Sequence, residues 1–148
     1  MDKYNPDDIL KLSNQLCFPL YASGKEITRK YKPYLDKLNI TYTQYIVLMV
    51  LWEKDHISVK EIGERLYLDS GTLTPLLNKL ISKGYIKKET QPSDNRELII
   101  SLTKKGIELK KQAYEIPPLI ASKVKLSPEE GKQLYQLLYK VLEGFKDD

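Results

Sequence analysis

Ser58-Val59-Lys60-Glu61-Ile62-Gly63-Glu64-Arg65-Leu66-Tyr67-Leu68-Asp69-Ser70-Gly71-Thr72-Leu73-Thr74-Pro75-Leu76-Leu77-Asn78-Lys79-Leu80-Ile81 decides the fold. It reads as helix, tight turn, helix. Ser58 and Glu61 have the spacing of a capping box, in which each side chain satisfies the other residue's orphan amide. Val59, Ile62 and Leu66 recur at helical spacing, and Tyr67-Leu68 makes the turn. A second helix starts near Asp69-Ser70, both good N-caps, and should bury Leu73, Leu76, Leu77, Leu80 and Ile81 along one face. Its other face carries Ser70, Thr72, Thr74, Asn78 and Lys79. Small hydroxyls, an amide and a cation suit the base edges and phosphates of a DNA major groove. Gly84 ends the helix. Tyr85 to Thr90 and Glu97 to Leu102 then read as a hairpin around Gln91-Pro92-Ser93-Asp94-Asn95-Arg96. Residues 58–102 therefore predict a winged helix-turn-helix, in a mainly α protein with a small β-wing. That architecture points to a DNA-binding regulator.

Outside this stretch the chain is helical. Asn5-Pro6-Asp7-Asp8 has an N-cap, a proline for the first turn and acids for the positive dipole end. Ile9, Leu12, Leu16, Leu20, Ile27, Tyr31 and Tyr34 trace a stripe behind it. Pro19 interrupts that stripe, because it removes an amide and clashes with the carbonyl of Gln15. The first helix must kink there or begin again at Phe18-Pro19. Thr41 and Gln44 can cap a second helix whose continuation, Tyr45 to Trp52, is apolar almost all round and should be core. Thr103 opens a helix that Pro117-Pro118 must kink or stop. Ser127-Pro128-Glu129-Glu130 is another capping box, followed by an amphipathic face of Leu134, Leu137, Leu138, Val141, Leu142 and Phe145.

A winged helix-turn-helix needs far fewer than 148 residues. We expect one domain over residues 1–148, with residues of about 5–33 and 103–147 forming helices that pair with a second copy. A two-fold homodimer would set two recognition helices against half-sites about one helical turn apart, so the DNA site should be an inverted repeat.

Charge respects the same division. The net charge is +4, but residues 78–111 hold nine Lys or Arg against four Asp or Glu, a surplus of five that the rest of the chain partly offsets. The basic excess thus sits on the second helix, the wing and the segment after the wing, where phosphates would lie. The hydrophobic fraction of 41% and charged fraction of 30% are those of a soluble protein. No apolar run is long enough for a bilayer and no signal-peptide pattern is present, so we expect a cytoplasmic protein without a membrane partner.

One cysteine, Cys17, excludes an internal disulfide, a Cys-based zinc site and a CxxC pair. Between Leu16 and Phe18 it could simply be a small buried hydrophobe. It could also oxidise to sulfenic acid and condense with a small thiol, a backbone amide or a cysteine of another chain. Tyr21 lies four residues on and shares its helical face. The chain has eleven tyrosines and two phenylalanines, so hydroxyls are plentiful among its aromatics. The one histidine, His56, reads as a solvated loop residue. With no carboxylate cluster at ligand spacing, no metal or other cofactor is expected, and no catalytic triad, phosphate loop or nucleophile elbow marks an enzyme.

Asn14-Gln15-Leu16-Cys17-Phe18, Leu35-Asp36-Lys37-Leu38-Asn39-Ile40-Thr41-Tyr42 and Leu66-Tyr67-Leu68-Asp69-Ser70-Gly71-Thr72-Leu73-Thr74-Pro75 resemble the MarR family, and within it a single-cysteine branch that senses organic hydroperoxides. The resemblance runs over nearly the whole chain. It implies a repressor that leaves its inverted-repeat operator when Cys17 is oxidised, with a small thiol as a further reactant. It also implies that tyrosine hydroxyls, partly from the other subunit, hold the cysteine. Tyr31 and Tyr42 match those positions and Tyr21 a nearby one. A phenol donating to sulfur favours thiolate, the form that attacks a peroxide oxygen. For DNA, Asp69, Ser70, Thr72 and Thr74 match the start of the recognition helix. Asp94 and Arg96 match an Asp-x-Arg wing tip whose arginine enters the minor groove. Asn78 and Lys79 depart from the more basic pair typical of the group, and lysine lacks the fork that grips guanine bidentately. Other readings stay open: a regulator of the same fold answering other oxidants or a phenolic ligand, and a winged helix used for protein assembly. A peroxidase is a weaker option still, since the chain has no resolving cysteine.

Overall fold

Ser58 and Asp69 start the two central helices as the sequence predicts. In the computed structural model, which describes residues 5–91 and 94–146 and leaves out the side chains of 94–96, Ser58 Oγ accepts from Glu61 N at 3.0 Å and Asp69 Oδ1 from Thr72 N at 2.7 Å. These caps open α3 (Val59–Leu66) and α4 (Ser70–Ser82). The reciprocal half of the first capping box differs, because Glu61 turns its carboxylate to Lys54 Nζ at 3.1 Å. Between the helices Tyr67 adopts φ 55°, the left-handed conformation that reverses the chain. A Cβ on Gly63 would lie 2.8 Å from the Leu68 carbonyl oxygen, so only glycine lets the turn close on α3. Gly84, at φ 81°, redirects the chain after α4 into β2 (Ile86–Gln91).

The wing is longer than its sequence suggests. β3 runs from Asp94 to Leu102, starting three residues earlier than Glu97, and Gln91 pairs with Asp94. Of the residues expected as a loop, Gln91 and 94–96 thus extend the ladder, with a bulge between Thr90 and Gln91, while Pro92 and Ser93 lie outside the described residues. A short strand β1 (Ile57–Ser58), which the sequence did not signal, pairs with β3 and gives the antiparallel order β1-β3-β2.

The N-terminal segment follows the second of the two expectations, a new helix start beside Phe18-Pro19, and departs only in what precedes it. Asn5 caps a 3-10 helix over Pro6–Leu10, a second covers Leu12–Asn14, and α1 begins only at Cys17 and runs to Lys37. Pro19 explains this. In the first turn of α1 its missing amide costs no intrahelical bond, whereas a helix continuous from residue 6 would lose one. α2 (Tyr42–Glu53) opens on a complete capping box of Thr41 and Gln44. α5 (Lys104–Ala113) is capped by Thr103 and stops before Pro117-Pro118, which occupy the first turn of α6 (Ile116–Ala121). The core gathers Leu35, Val47, Leu48, Leu51, Ile62, Leu73, Leu80, Ile86 and Ile100. Of the apolar face predicted for α4, Ile81 alone is only partly buried.

The chain divides into two compact units, Met1–Ile116 and Pro117–Asp148. The second carries α7 (Pro128–Gly144), opened by the Ser127–Glu130 capping box. Hydrogen bonds from Ser127, its backbone amide first, hold the Glu130 carboxyl below the usual range. Leu134, Leu137, Val141, Leu142 and Phe145 of its apolar face are exposed.

Candidate nucleic-acid interface and thiol site

α4 separates its two faces cleanly. Leu73, Leu76, Leu77 and Leu80 are buried, while Ser70, Thr72, Thr74, Asn78 and Lys79 are all exposed on the outer side. Asp69 N-caps this helix, so its part is first of all structural. The Thr72 backbone amide, then the Thr72 hydroxyl and the Gly71 amide, hold its carboxyl below the usual range against a small opposing effect of burial. Pro75 lies inside α4 and leaves the Gly71 carbonyl without its helical donor. Lys87 and Lys88 are exposed on β2. Asp94 and Arg96 begin β3; their side chains lie outside the described residues.

Cys17 is an exposed free thiol in the first turn of α1, at the positive end of the helix dipole. Leu16, Phe18, Leu20 and Tyr21 around it are exposed too, so the buried-hydrophobe reading has no packing to rest on within this chain. Tyr21 shares the helix with Cys17. Tyr31 and Tyr42 come together elsewhere, with ring centroids 5.0 Å apart. Fourteen residues of α-helix separate Cys17 from Tyr31, about 21 Å of axial rise. One chain therefore holds two separate groups, Cys17 with Tyr21 and Tyr31 with Tyr42.

The second group is larger than the sequence suggests. Tyr45, expected only as core, lies 5.7 Å from Tyr31 and 6.2 Å from Tyr42, and its ring meets Trp52 edge-on at 6.4 Å. Its spacing of three from Tyr42 on one helix is the signal that could have found it. Burial, then the Tyr31 and Tyr42 phenols, push the Tyr45 phenol up to about 12. Burial also raises Tyr31, with Tyr42 adding to it, and raises Tyr42.

A family model for the transcriptional regulators SarA/Rot matches residues 29–113. The organic hydroperoxide resistance transcriptional regulator of Bacillus subtilis (strain 168) is 52% identical over 139 residues, covering 94% of this chain and 95% of that protein. A cysteine-to-serine mutant of MarR from E. coli, solved with operator DNA, superposes with a TM-score of 0.79 at 28% identity over 86% of this chain and 93% of that one. The chain belongs to the MarR-type winged-helix transcriptional regulators. Reduced AbfR bound to DNA, a Staphylococcus epidermidis protein, matches with a TM-score of 0.77 at 37% identity, over 93% and 96% of the two chains.

In this MarR-type regulator the polar contacts of Asp55 with Leu102, of His56 with Ser101 and of Trp52 with Gly106 carried no sequence signal, because those partners lie far apart in the chain. Asp55 Oδ1 accepts from His56 N at 2.8 Å and from Leu102 N at 2.9 Å, which ties β3 to the end of α2. His56 is exposed, as expected of a loop histidine, yet its Nδ1 lies 2.6 Å from the hydroxyl of buried Ser101. Trp52 Nε1 donates to the Gly106 carbonyl at 2.9 Å. Among the described residues no cluster of His, Cys, Asp or Glu could hold a metal, and no helix is long and apolar enough to cross a membrane.

Proposed function

We propose that the protein is a repressor that binds an inverted-repeat operator as a homodimer and lets go when an organic hydroperoxide oxidises Cys17. It acts on DNA in the cell interior as a binding protein rather than a catalyst. The observation that carries this reading is the exposure of the lone thiol at the head of α1, beside an equally exposed apolar wall. A second copy, paired through residues of about 5–33 and 103–147, covers that wall and brings its own Tyr31 and Tyr42 to the sulfur. Likeness to a protein named for organic hydroperoxide resistance supports the choice of oxidant. Relatives solved bound to DNA support DNA as the target, and the exposed polar face of α4 supports that helix as the reader.

The chemistry is a two-electron oxidation. The Cys17 thiolate attacks the terminal peroxide oxygen, an S–O bond forms and the O–O bond breaks. The alkoxide leaves as an alcohol after taking a proton from solvent, and the cysteine is left as sulfenic acid. A small thiol can then condense with it, losing water. Leu16, Phe18 and Leu20 line the sulfur with apolar surface, which under the second copy suits an organic peroxide better than hydrogen peroxide. Added bulk at a packed interface is relieved by rearrangement rather than stretching. Loss of about 1.5–3 kcal/mol of DNA binding, summed over the dimer, lowers operator affinity by tens to hundreds of fold.

In the DNA interface Ser70, Thr72, Thr74, Asn78 and Lys79 face the major groove, Asp69 orders the helix start, and Arg96, steadied by Asp94, reaches the minor groove. The test is anisotropy on a labelled duplex carrying the inverted repeat upstream of the protein's own gene. Wild type should bind when reduced and be released by cumene hydroperoxide, whereas Cys17→Ser should bind and stay bound. A Cys17→Ser protein that peroxide still releases would end the sensor assignment.

A second reading has one observation behind it. Thr28, Arg29, Lys32, Leu35, Asp36, Ile40, Thr41 and Tyr42 line an open groove of about 250 Å³, room for a small phenolic ligand. Wild type that resists peroxide but is released by a phenol would select it.

A further inference from the structure

Lys83 is the first residue after α4, and its side chain crosses to the turn between α1 and α2. Its Nζ donates to the Asn39 carbonyl at 2.7 Å and to Gln44 Oε1 at 2.9 Å. Gln44 is 2% exposed, and the same Oε1 accepts from Thr41 N at 3.0 Å, the contact that opens α2. Two residues beyond Lys83, Tyr85 Oη donates to the Leu38 carbonyl at 3.2 Å. The far end of the DNA-facing helix is thereby fastened to residues 38–44 by three long-range bonds. Those residues form the turn that carries Tyr42 and, one position past Gln44, Tyr45. Lys105 steadies the fastening from behind, with Nζ 2.9 Å from the Lys83 carbonyl and 4.7 Å from the centre of the Tyr85 ring.

We propose that Lys83 and Gln44 are positioning residues that couple the tyrosine cluster to the recognition helix, so that a shift of Tyr42 is delivered to α4 through the ammonium they share with Asn39. The inference rests on the proposed function and adds the route by which the site works. The physical case is geometric. A charged donor held by two acceptors of one turn is directional, and on the Gln44 side, where the acceptor is buried, separation leaves that oxygen one donor short. Gln44 cannot move with α2 without drawing its oxygen from Lys83 or taking Lys83 along. The clamp is therefore a two-ended strut between the sensor tyrosines and the helix that reads DNA.

The experiment uses the full-length protein and the same labelled duplex, and reads the ratio of operator Kd after cumene hydroperoxide to Kd when reduced. Lys83→Met keeps the aliphatic stem and removes the ammonium. Gln44 Oε1 keeps its Thr41 bond and the exposed Asn39 carbonyl can hydrate, so folding should survive. We expect reduced binding within about threefold of wild type and a Kd ratio lowered about tenfold, equivalent to about 1.4 kcal/mol of coupling between the two sites. Gln44→Met, altering the other end, should lower the ratio likewise, and Lys83→Arg, which retains a donor cation, should restore most of it. A thermal midpoint that falls while the ratio stays at the wild-type value would make the clamp purely structural and overturn the proposal. Wild type that peroxide does not release would overturn the proposed function, and the coupling with it.

Discussion

Residues 35–113 and residues 9–21 put the same kinds of side chain to opposite uses. In the first region most large aliphatics turn inward, and Leu48, Ile62 and Leu80 are 0% exposed. In the second, Leu10 is 85%, Leu16 81% and Tyr21 67% exposed, although this stretch too is rich in large apolar residues. The winged helix closes on itself within one chain. The segment around Cys17 does not, and an apolar surface of that kind marks a site for a partner. The contrast teaches that a hydrophobic stripe tells which residues need covering but not which chain covers them.

The strongest way to break the contrast is to charge the open side. Leu16→Asp should leave the winged-helix fold intact by circular dichroism, because Leu16 contributes nothing to that core. It should convert a dimer to a monomer by light scattering and weaken operator binding about a thousandfold, the avidity lost when two half-sites are no longer joined. A Leu16→Asp dimer of wild-type affinity would show that residues 9–21 do not form the interface.

Paired truncations test the two regions directly. Leu80→Ala removes three carbons from a filled core and should cost about 2–5 kcal/mol in urea unfolding. Leu10→Ala removes the same atoms from a surface open to solvent and should change unfolding of the monomeric Leu16→Asp background by no more than about 0.5 kcal/mol. Equal costs at the two positions would mean that Leu10 packs on its own chain after all.

How much the sequence discloses divides along the same line. Caps at Thr41, Asp69, Thr103 and Ser127, the buried face of α4 and the breaks at Gly84 and Pro117 are all legible, because each depends on residues within a few positions. The start of α1 is legible too, because Pro19 asks for a kink or a new start at Phe18-Pro19 and the helix begins at Cys17; what local rules miss is that Asn5-Pro6-Asp7-Asp8 opens only a 3-10 turn. The wing loop reads as too long because Asp94 and Asn95 carry turn-forming chemistry while lying in β3. In the candidate site, Tyr31 and Tyr42 are found through family resemblance, whereas Tyr45 is hidden by its place in an apolar run. The Lys83–Gln44 clamp spans 39 residues, and no local pattern announces a lysine that reaches so far.

Tyrosine chemistry sharpens the contrast most finely, because the buried region holds phenols as well as aliphatics. Tyr45 is 2% exposed, and burial reinforced by Tyr31 and Tyr42 raises its phenol from the ordinary 10.0 to about 12. A phenol whose pKa is higher in the folded state stays neutral there after the unfolded chain has lost the proton. Its contribution to stability is therefore complete below pH 10, falls as the pH climbs from 10, and is lost through about 12. Tyr31 and Tyr42, also raised, add to the loss in the same direction. Tyr45→Phe should alter stability by less than about 1 kcal/mol at pH 7. Above pH 10 its urea midpoint should decline less steeply than that of wild type. Parallel decline of the two proteins would show that Tyr45 is not the group responsible. The aromatic cluster at the turn would then be held by ring packing alone, with its hydroxyls in contact with water.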